Sequence, residues 1–456
     1  MDGDFNVRGR RVVVLGAARS GIAAAELLVR RGAVVTLSEM RTAFDGIDTL
    51  RDAGVTIETG GHGLRTLLDA DLIVTSPGVP LEQPAVAIAR EKGVEIIGEL
   101  ELASRWLKGP VIAVTGTKGK STTTTLIGRM VAASGRPTLV GGNIGIPLSA
   151  QVDDSTPDTV HVVEASSFQL ETTVTFRPWI SLWLNVADYH LDRHPDMASY
   201  VAAKARILVN QRPGDVAVLN ADDARVVEQG AAAAARTIWF SPSGQLSEGF
   251  VVDGAWIVRR TATAREPMVP TAAVELSGRH MLDNVTAAVA VAWAASVTPE
   301  AMTQALRGFR GLEHVMEPVG RIGSVSFVND SKATNVEAAR RSIESFAGGV
   351  VAIVGGRFKG GDLRDLVPAL RAHAKAVIAI GDAAPLVRDA VSGVVPVADA
   401  ASMREAVERA YEEAKPQGVV LLAPACASFD WFRDYAERGR AFKQEVERLK
   451  GVSKGV

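Results

Sequence analysis

The chain has 456 residues, which at about 150 residues per domain predicts three domains. Hydrophobic residues make up 47% of it and the formal net charge is −2, so nothing in the composition favours nucleic acid or an anionic membrane as a partner. The single cysteine, Cys426, excludes an intrachain disulfide, no apolar run approaches about 18 residues, and the amino terminus does not open a signal peptide. We therefore expect a globular protein of the cytoplasm.

A βαβ pattern opens the first predicted domain. The apolar run 11–16 leads into the turn Gly16-Ala-Ala-Arg-Ser-Gly21, a helical pattern follows, and 34–38 forms a second predicted strand. Glu39 lies twenty-three residues after Gly16, in the region where dinucleotide sites carry an acidic residue. Ala18, however, replaces the glycine that lets a pyrophosphate approach the backbone closely. A nicotinamide or flavin site and a Rossmann-like turn without one therefore both remain open.

The stretch Val-Ile-Ala-Val-Thr-Gly-Thr-Lys-Gly-Lys-Ser-Thr, residues 111–122, predicts a phosphate-binding loop between a strand and a helix. Its two glycines would let consecutive backbone N–H groups point into one concavity, where the helix N-terminus adds positive charge. Lys120 can reach the β- and γ-phosphates of a nucleotide, and the Ser121 hydroxyl can hold Mg²⁺. The loop is shorter than the common pattern, since that register would require a glycine at Val114. We expect nucleotide binding here.

Three polar residues of the central domain extend this site. Glu164 ends a predicted strand and His190 lies in the loop after the strand 179–185, so both can face a Mg²⁺ at the phosphate loop. A capping carboxylate and a hydrogen-bonded loop histidine are the alternatives. Lys204 belongs to the apolar stripe of a helix that Asp196 is expected to cap. It is either a lysine whose amine reaches solvent or a desolvated amine with a lowered pKa that can be modified.

Three buried-strand runs alternate with helical patterns in the third predicted domain, at 350–356, 376–381 and 419–423. The predicted fold is therefore α/β in three domains: a Rossmann-like domain at 1–98, a central parallel-sheet domain like that of P-loop ATPases at 99–311, and a Rossmann-like domain at 312–456. An antiparallel addition is expected within 231–258, and a charged amphipathic helix at 431–449 closes the chain. Cys426 has no candidate base beside it and is expected to pack rather than react.

Several segments, spread from about residue 11 to residue 439, together resemble the Mur ligase family. They are, in chain order, Thr115-Gly-Thr-Lys-Gly-Lys-Ser121, Gly142-Asn-Ile-Gly145, Glu164-Ala-Ser-Ser-Phe-Gln-Leu-Glu171, the loop 185–192, Tyr200-Val-Ala-Ala-Lys204, Asn329-Asp-Ser-Lys-Ala-Thr-Asn335 and Ala423-Pro-Ala-Cys-Ala-Ser-Phe-Asp430. The phosphate loop is common to the whole family, which includes the folylpolyglutamate synthases. The segments that begin at Glu164, Asn329 and Ala423 are the discriminating ones. They are most similar to those of the members that add D-glutamate.

This resemblance implies an ATP-dependent, amide-bond-forming ligase of peptidoglycan precursor synthesis. It would add D-glutamate to UDP-N-acetylmuramoyl-L-alanine through an acyl phosphate, and closure of the third domain over the central one would keep water from that intermediate. The implied cofactors are two Mg²⁺ ions and a CO₂-derived carbamate on Lys204, which would convert a cation into an anion that supports a magnesium ion. The implied partners are small molecules, with no nucleic acid and no membrane, and the implied state is a monomer.

The resemblance also implies roles for individual residues. The uridine diphosphate end of the substrate would contact Arg19, Ser20, Glu39, Arg41, Ser76 and Gly78, its pyrophosphate Asn143, and its muramoyl-alanine portion Ser166 and Gln169. ATP would contact Gly116, Thr117, Lys118, Gly119, Lys120, Ser121, Thr122, Asn284, Asp330 and Lys332. D-Glutamate would contact Thr334, Lys359, Ser428 and Tyr435. The metal ligands would be Ser121, Glu164, His190 and the carbamate of Lys204, and the catalytic groups Lys120, Glu164, His190 and Lys204.

Two positions depart from the family pattern. Val315 stands where the family has an arginine that reaches the ATP phosphates, with Arg310 and Arg321 as possible substitutes, and Met281 stands where it has an asparagine that contacts adenine. Both departures concern nucleotide affinity more than reaction type. Three alternatives therefore stay open: a ligase of the same architecture for another amino acid or for folate, an oxidoreductase that uses the first domain, and a sensor that binds the uridine-linked precursor without turnover.

Overall fold

Three mainly parallel sheets flanked by helices make up the part of the chain that the structure, a computed structural model, describes: residues 5–187, 194–274, 279–309 and 311–453. The chain divides into two compact units, Met1–Phe309 and Arg310–Val456. The first unit holds two of the sheets and the second unit holds the third. This architecture confirms the expected α/β class, with one sheet for each predicted domain. The boundaries at 98/99 and 311/312 stay predictions.

The first sheet is fully parallel and begins the first unit. Its strands are β1 (Arg11–Leu15), β2 (Val34–Glu39), β3 (Thr56–Thr59), β4 (Leu72–Thr75) and β5 (Ile96–Gly98). The helices that accompany them are α1 (Arg19–Arg30), α2 (Ile47–Asp52), α3 (Leu64–Leu68), α4 (Pro84–Glu91) and α5 (Glu99–Ser104). The strand order is β3–β2–β1–β4–β5, so the chain reverses direction across the sheet between β1 and β4. In such sheets ligands bind at the carboxyl ends of the strands beside this reversal.

The second sheet lies in the same unit and carries the phosphate loop. Its strands are β6 (Val111–Thr115), β7 (Thr138–Gly142), β8 (Val160–Glu164), β9 (Ile180–Trp183), β10 (Val216–Asn220), β11 (Arg236–Ser241), β12 (Gly249–Asp253), β13 (Trp256–Arg260) and β14 (Arg265–Pro270). The order is β14–β13–β12–β11–β10–β9–β6–β8–β7. Strands β12 to β14 pair antiparallel, so the expected antiparallel addition is present, but it covers 249–270 rather than 231–258, because β11 pairs parallel with β10 and β12. β6 lies in the interior of the sheet and all five of its residues are buried, as expected for a strand covered on both faces.

The helices of this second sheet are α6 (Lys120–Ala133), α7 (Ser167–Leu170), α8 (Met197–Val209), α9 (Ala224–Gly230), α10 (Arg279–Ala294) and α11 (Pro299–Leu306), with short 3₁₀ turns at Leu148–Gln151 and Thr271–Ala273. Asp196 caps α8 as expected, because its side chain accepts a hydrogen bond of 2.7 Å from the backbone N–H of Ser199. The cap fixes where α8 begins, and therefore which of its residues face the core.

The second unit contains one sheet with a single antiparallel edge among its described strands. They are β15 (Glu317–Ile322), β16 (Ser324–Asn329), β17 (Val350–Gly355), β18 (Ala374–Ile380), β19 (Val397–Ala400) and β20 (Gln417–Leu422), in the order β15–β16–β20–β17–β18–β19. Its helices are α12 (Val336–Glu344), α13 (Val367–His373), α14 (Ala384–Val391), α15 (Met403–Ala414) and α16 (Tyr435–Ser453), with a 3₁₀ turn at Leu363–Leu366. The three expected strands correspond to β17, β18 and β20.

Two predicted elements have different bounds in the structure. The closing helix does not begin at residue 431, because α16 starts at Tyr435, where Asp434 accepts a hydrogen bond of 2.7 Å from the N–H of Glu437. The predicted strand 179–185 is shorter, since β9 ends at Trp183. Residues 184 to 187 then leave the sheet and run beside the phosphate loop, where the Thr117 N–H donates to the Asn185 carbonyl at 3.0 Å. No helix among the described residues is long and apolar enough to span a membrane.

Glu101 fastens helix α5 to the segment that follows α7. Its side chain is 0% exposed, forms an ion pair of 2.9 Å with Arg105, and accepts hydrogen bonds of 2.9 to 3.1 Å from the backbone N–H groups of residues 174–176. Burial by itself would raise the pKa of Glu101, but these bonds, with those from the Thr175 side chain and Arg105, outweigh it and lower the pKa. The negative charge of the Glu101 carboxylate therefore contributes to the stability of this unit.

We expect Glu101→Gln to lower the free energy of unfolding of this unit by about 3 kcal/mol, because it breaks a buried, multiply bonded ion pair. The matched control is Glu95→Gln, since Glu95 contacts the same arginine at 3.3 Å but its side chain is 43% exposed, and it should change stability by less than about 1 kcal/mol. Urea denaturation at pH 7 measures both.

The same bonds predict a pH dependence of stability. The folded-state pKa of Glu101 lies below its ordinary value of 4.5, so its contribution is complete above pH 4.5 and is lost as the pH falls through the folded-state pKa. The two variants should therefore differ most near neutral pH and converge in acid. Equal stabilities for the two variants at pH 7 would contradict the role given to Glu101.

Candidate active site

A cavity of about 460 Å³ lies in the first unit at the carboxyl ends of β1, β2, β4 and β7. It is lined by most of the residues predicted to bind the uridine-linked substrate, namely Arg19, Ser20, Glu39, Arg41, Ser76, Gly78, Asn143 and Gln169. Ser166 lies next to it as the N-cap of α7, where it exchanges hydrogen bonds with Gln169. The structure thus brings together residues that are up to 150 positions apart in the sequence.

Glu39 is fully engaged by the protein itself at the edge of this cavity. Its carboxylate accepts hydrogen bonds from the backbone N–H of Ala17 at 2.6 Å and from the Arg41 guanidinium at 3.1 Å. Burial opposes ionisation, but the bonds from Arg41 and Ala17 outweigh it and lower the pKa of Glu39 to about 2. A dinucleotide site needs this acidic residue to accept from the ribose hydroxyls. In this structure Glu39 instead accepts from Ala17 and Arg41, and so orients Arg41 at the edge of the cavity.

His62 and Met40 also line the cavity, and the sequence analysis did not select them. His62 follows β3, and its Nδ1 lies 2.8 Å from the Ser38 hydroxyl of β2. Nothing in the local sequence around His62 indicates a ligand contact. It reaches the cavity because β3 pairs with β2, which is a fact of sheet order rather than of pattern.

The phosphate loop is held by Asn185, which leaves β9 and runs beside it. The Asn185 side-chain oxygen accepts hydrogen bonds from the backbone N–H groups of Thr117 at 3.0 Å and Lys118 at 2.9 Å, and its amide donates to the Lys118 carbonyl at 3.1 Å. The glycine pattern predicted that these two loop N–H groups point into the concavity. They instead donate to Asn185. The first-turn N–H groups of α6, which have no acceptor within the helix, remain as the anion-binding part of the loop.

Gly119 lies against Asn284 at the start of α6. Its φ of +81° is in the left-handed region, and a Cβ placed on it would come within 2.1 Å of the Asn284 side-chain oxygen. Met281, one of the two departures from the family pattern, lies one turn before Asn284, and its sulfur is 3.8 Å from the Asn284 amide nitrogen. Met281 thus contacts Asn284, and Asn284 itself lies against the phosphate loop.

Glu164 joins the phosphate loop to the glycine turn after β7. Its carboxylate accepts hydrogen bonds of 2.7 Å from the Ser121 hydroxyl and 2.7 Å from the Asn143 amide, and only 2% of the residue is exposed. A serine hydroxyl and a carboxylate at this distance are the hard oxygen donors that Mg²⁺ prefers. The donor set thus fits the expected metal. His190, the third expected ligand, lies outside the described residues, among which no group of three or more His, Cys, Asp or Glu side chains suited to a metal is found.

Lys204 directs its amine into the protein rather than to solvent, so the solvent-reaching alternative is wrong. Only 1% of the residue is exposed, and its Nζ donates to the Gly116 carbonyl at 2.8 Å. The amine also lies 4.6 Å above the ring of Tyr200, whose hydroxyl is 3.1 Å from the Thr117 hydroxyl. Burial, reinforced by the charge of Lys120 and opposed by that of Glu164, lowers the pKa of Lys204 to about 6. The amine is therefore largely uncharged at neutral pH.

The predicted residues of the second unit gather where β16, β17 and β20 end. Asp330 is 6% exposed, and its carboxylate accepts from the N–H of Met316 at 3.0 Å and from the Ser342 hydroxyl. Burial raises the pKa of Asp330 despite these bonds. The Lys332 N–H donates to the His314 carbonyl at 3.1 Å, and Thr334 follows two residues later. This loop is therefore fixed through its backbone.

Lys359 and Phe429 form a pair in the same unit, with the Lys359 amine 4.8 Å from the centre of the Phe429 ring. Ser428, next to Phe429, is buried, whereas Tyr435 at the start of α16 is 37% exposed. Cys426 is buried, and burial raises the pKa of its thiol to about 12, as expected of a packing residue.

Arg438 is a buried cation that the sequence analysis missed. It is 1% exposed and donates to the Ser331 hydroxyl and carbonyl at 3.0 and 2.9 Å and to the carbonyls of Cys426 and Ala427 at 3.1 and 3.2 Å. Burial lowers the pKa of Arg438 to about 10, with Asp430 opposing the shift, so it stays charged at neutral pH. It joins the loop after β16 to the loop after β20. The sequence showed only that Arg438 belongs to the amphipathic helix predicted over 431–449, and a charged residue of such a helix is ordinarily solvated.

Val315 lies between His314 and Met316, whose φ angles of +65° and +44° are both positive. Arg310 lies outside the described residues, and Arg321 belongs to the edge strand β15, paired with Ser326 of β16. The positive charges that act on Glu313 and His314 come instead from Lys443 and Arg440 of α16. Both expected substitutes for the missing arginine, Arg310 and Arg321, therefore stay predictions.

Comparison with known proteins resolves the family. The chain matches a Mur ligase MurD-like N-terminal domain over residues 10–98, a Mur ligase middle domain over 114–292 and a Mur ligase glutamate ligase domain over 316–426. The chain belongs to the Mur ligase family. It is 47% identical over 454 residues to the UDP-N-acetylmuramoylalanine–D-glutamate ligase of Acidobacterium capsulatum, with 98% of each chain covered. It is 45% identical over 448 residues to the ligase of the same name from Koribacter versatilis, covering 98% of this chain and 99% of that one.

Solved structures of the Mur ligase family share the fold at low identity. UDP-N-acetylmuramate-alanine ligase MurC of Thermotoga maritima matches with a TM-score of 0.56 at 18% identity, covering 97% of this chain and 100% of that one. The pseudomurein peptide ligase type C of Methanothermus fervidus matches with a TM-score of 0.54 at 18% identity and the same coverage. The Mur ligase architecture therefore extends over the whole length of the chain.

We expect Asn185→Ala to weaken MgATP binding about tenfold, because the Lys118 N–H loses its acceptor and the Thr117 N–H keeps only the backbone carbonyl of residue 185, so the loop is held less firmly. Asn210→Ala is the matched control. Its side chain likewise binds the backbone, with the amide donating to two carbonyls at 2.9 and 3.1 Å, but at the far end of α8. Titration calorimetry measures both dissociation constants. The same dissociation constant for the two variants would contradict the role given to Asn185.

Proposed function

We propose that this Mur ligase adds D-glutamate to UDP-N-acetylmuramoyl-L-alanine, with hydrolysis of ATP, in the synthesis of peptidoglycan precursors. The observation that carries the proposal is the buried Lys204 amine at the base of the phosphate loop, 2.8 Å from the Gly116 carbonyl and within the electrostatic reach of Lys120 and Glu164. Relatives that are 40 to 47% identical over nearly the whole chain are named for this reaction, and Mur ligases depend on ATP. Monomeric state and cytoplasmic location stay predictions.

The first step activates a carboxylate. The L-alanine carboxylate of the precursor attacks the γ-phosphorus of ATP, the bond to the β–γ bridging oxygen breaks, and ADP leaves an acyl phosphate on the precursor. Lys120 and the first-turn N–H groups of α6 stabilise the negative charge on the phosphates. Ser121 and Glu164, with His190, would hold Mg²⁺, which neutralises phosphate charge when bound.

The second step forms the amide bond. The neutral D-glutamate amine attacks the activated carbonyl carbon and a tetrahedral intermediate forms; its C–O bond to the phosphoryl group then breaks, phosphate leaves, and the nitrogen releases one proton. We propose that Thr334, Lys359, Ser428 and Tyr435 of the second unit bind D-glutamate. Lys359 supplies a positive charge for a substrate carboxylate, and the Phe429 ring limits where that charge can lie.

Lys204 is proposed to act as a carbamate. Its neutral amine attacks CO₂, a C–N bond forms, and one proton is released to give –NH–COO⁻. The low pKa supports this step, because only the unprotonated amine has the electron pair that bonds carbon.

The precursor would bind in the cavity of the first unit. Asn143 would bind its pyrophosphate, and Ser166 and Gln169 its sugar. Its uridine would occupy the cavity between Glu39, Arg41, Ser76 and Gly78.

The proposal is tested by measuring ADP formation with Mg²⁺, ATP and UDP-N-acetylmuramoyl-L-alanine, comparing D-glutamate, L-glutamate, L-lysine and meso-diaminopimelate. We expect turnover with D-glutamate alone. Turnover with another amino acid would keep the ligase reaction and overturn the assignment of the second unit. No turnover with any of the four, in a folded preparation that binds the precursor, would contradict the proposal in favour of a sensor.

We expect Lys204→Ala to lose at least about 99% of the turnover rate, with partial rescue by added short carboxylates that take the place of the carbamate. In the unchanged protein, turnover limited by carbamate formation should fall as the pH drops below about 6, because protonation then removes the amine that binds CO₂. Turnover is measured across this pH range with and without added bicarbonate. A Lys204→Ala variant with full activity would exclude a role for this residue.

A further inference from the structure

His194 lies between the short helix α7 and the longer helix α8, and only 4% of it is exposed. Its Nε2 is 3.0 Å from the Ser167 hydroxyl, which is itself buried. Its ring stacks on Phe168 with 5.3 Å between centroids and 11° between planes, and it lies 5.2 Å from the ring of Tyr200. The histidine therefore contacts α7 through both its ring and a nitrogen, and α8 through its ring.

The α7 side of this contact belongs to the substrate cavity. Ser166 caps α7 and exchanges hydrogen bonds of 3.0 and 3.2 Å with Gln169, which lines the cavity. A helix of four residues is too short to keep its orientation without packing. The direction in which Gln169 points is therefore set by what α7 packs against, and His194 is one of those groups.

The α8 side of the contact belongs to the phosphate loop. The Tyr200 hydroxyl is 3.1 Å from the Thr117 hydroxyl of the loop, and the Lys204 amine lies 4.6 Å above the Tyr200 ring. The Thr117 hydroxyl also accepts a hydrogen bond of 3.0 Å from the N–H of Ala187. A shift of the Tyr200 ring would therefore move both a loop hydroxyl and the surroundings of the buried amine.

We propose that His194 is a positioning residue, which holds α7 against Tyr200 and so fixes the precursor-binding segment relative to the phosphate loop and Lys204. This inference rests on the proposed function and deepens it. The ring and the nitrogen have separate tasks. The ring fills the space between Phe168 and Tyr200, and the nitrogen pairs with the Ser167 hydroxyl, which would otherwise be buried without that partner.

Two substitutions at His194 separate these tasks. His194→Phe keeps a ring and removes the bond to Ser167, and we expect it to raise the dissociation constant for UDP-N-acetylmuramoyl-L-alanine about tenfold while the value for MgATP changes less than about twofold. His194→Gln places an amide near the Nε2 position without the ring. We expect it to keep precursor affinity within about threefold and to lower kcat, since Tyr200 loses its neighbour.

Ser167→Ala supplies the second half of a double-mutant cycle. If His194 acts through Ser167, the His194→Phe and Ser167→Ala double variant should bind the precursor no more weakly than the poorer single variant. The matched control is His161→Phe, because His161 is also fully buried and its Nε2 is 2.8 Å from the Ser155 hydroxyl, but it lies near the start of β8, away from the cavity. This control should lower the melting temperature and leave precursor affinity unchanged.

Calorimetry with the precursor and with MgATP reads binding without turnover, so the result does not depend on which amino acid is added. The inference would be overturned if His194→Phe bound the precursor as tightly as the wild type. It would also be overturned if His194→Phe lost affinity for the precursor and for MgATP by the same factor, because general destabilisation would explain that result. If His194→Phe does not fold, the Ser167→Ala variant tests the inference. A dissociation constant for the precursor that is about tenfold higher supports the role of His194, and an unchanged one overturns it. A wild-type protein that binds the precursor but shows no D-glutamate turnover overturns the proposed function instead.

Discussion

The buried amine of Lys204 is the constraint on which the central part of the first unit depends. A lysine with 1% of its surface exposed has lost its hydration, and the structure gives it one carbonyl, that of Gly116, and the face of Tyr200 in return. A charge in such a place is unfavourable, so the group gives up its proton near neutral pH. The chemistry expected of it follows from this burial.

Side chains from outside the phosphate loop fix its conformation, which the glycine pattern alone had been expected to determine. Asn185 binds two loop N–H groups, Glu164 fixes the Ser121 hydroxyl, and Asn284 packs where Gly119 has no side chain. The loop is therefore preformed by contacts from β8, β9 and α10, each of which comes from a different part of the unit. Catalysis by phosphoryl transfer depends on positioning and electrostatic stabilisation, so a preformed loop is what such chemistry needs.

In the second unit, a buried cation of a different kind joins two loops that are proposed to bind substrates. Arg438 cannot lose its proton at neutral pH, and its hydrogen bonds to Ser331, Cys426 and Ala427 fix two loops that carry discriminating segments of the sequence. Two of the proposed D-glutamate ligands, Thr334 and Ser428, and the proposed ATP contact Lys332 lie in these loops. The geometry of their backbone is thus decided from α16, which contributes no predicted ligand except Tyr435.

The sequence by itself determined the α/β class, the phosphate loop, the strand that ends in Glu164 and the family, because these depend on local period, on turn residues and on motifs in a fixed order. It also selected Lys204, though it left two opposite states of the amine open. Only the tertiary structure decided between them, since burial is a property of what packs around a residue. The structure alone also showed Asn185 on the loop, His62 in the cavity, His194 between two helices and Arg438 beneath two loops. Each of these residues acts on a partner that is remote in sequence or belongs to another element, and no local pattern records such a contact.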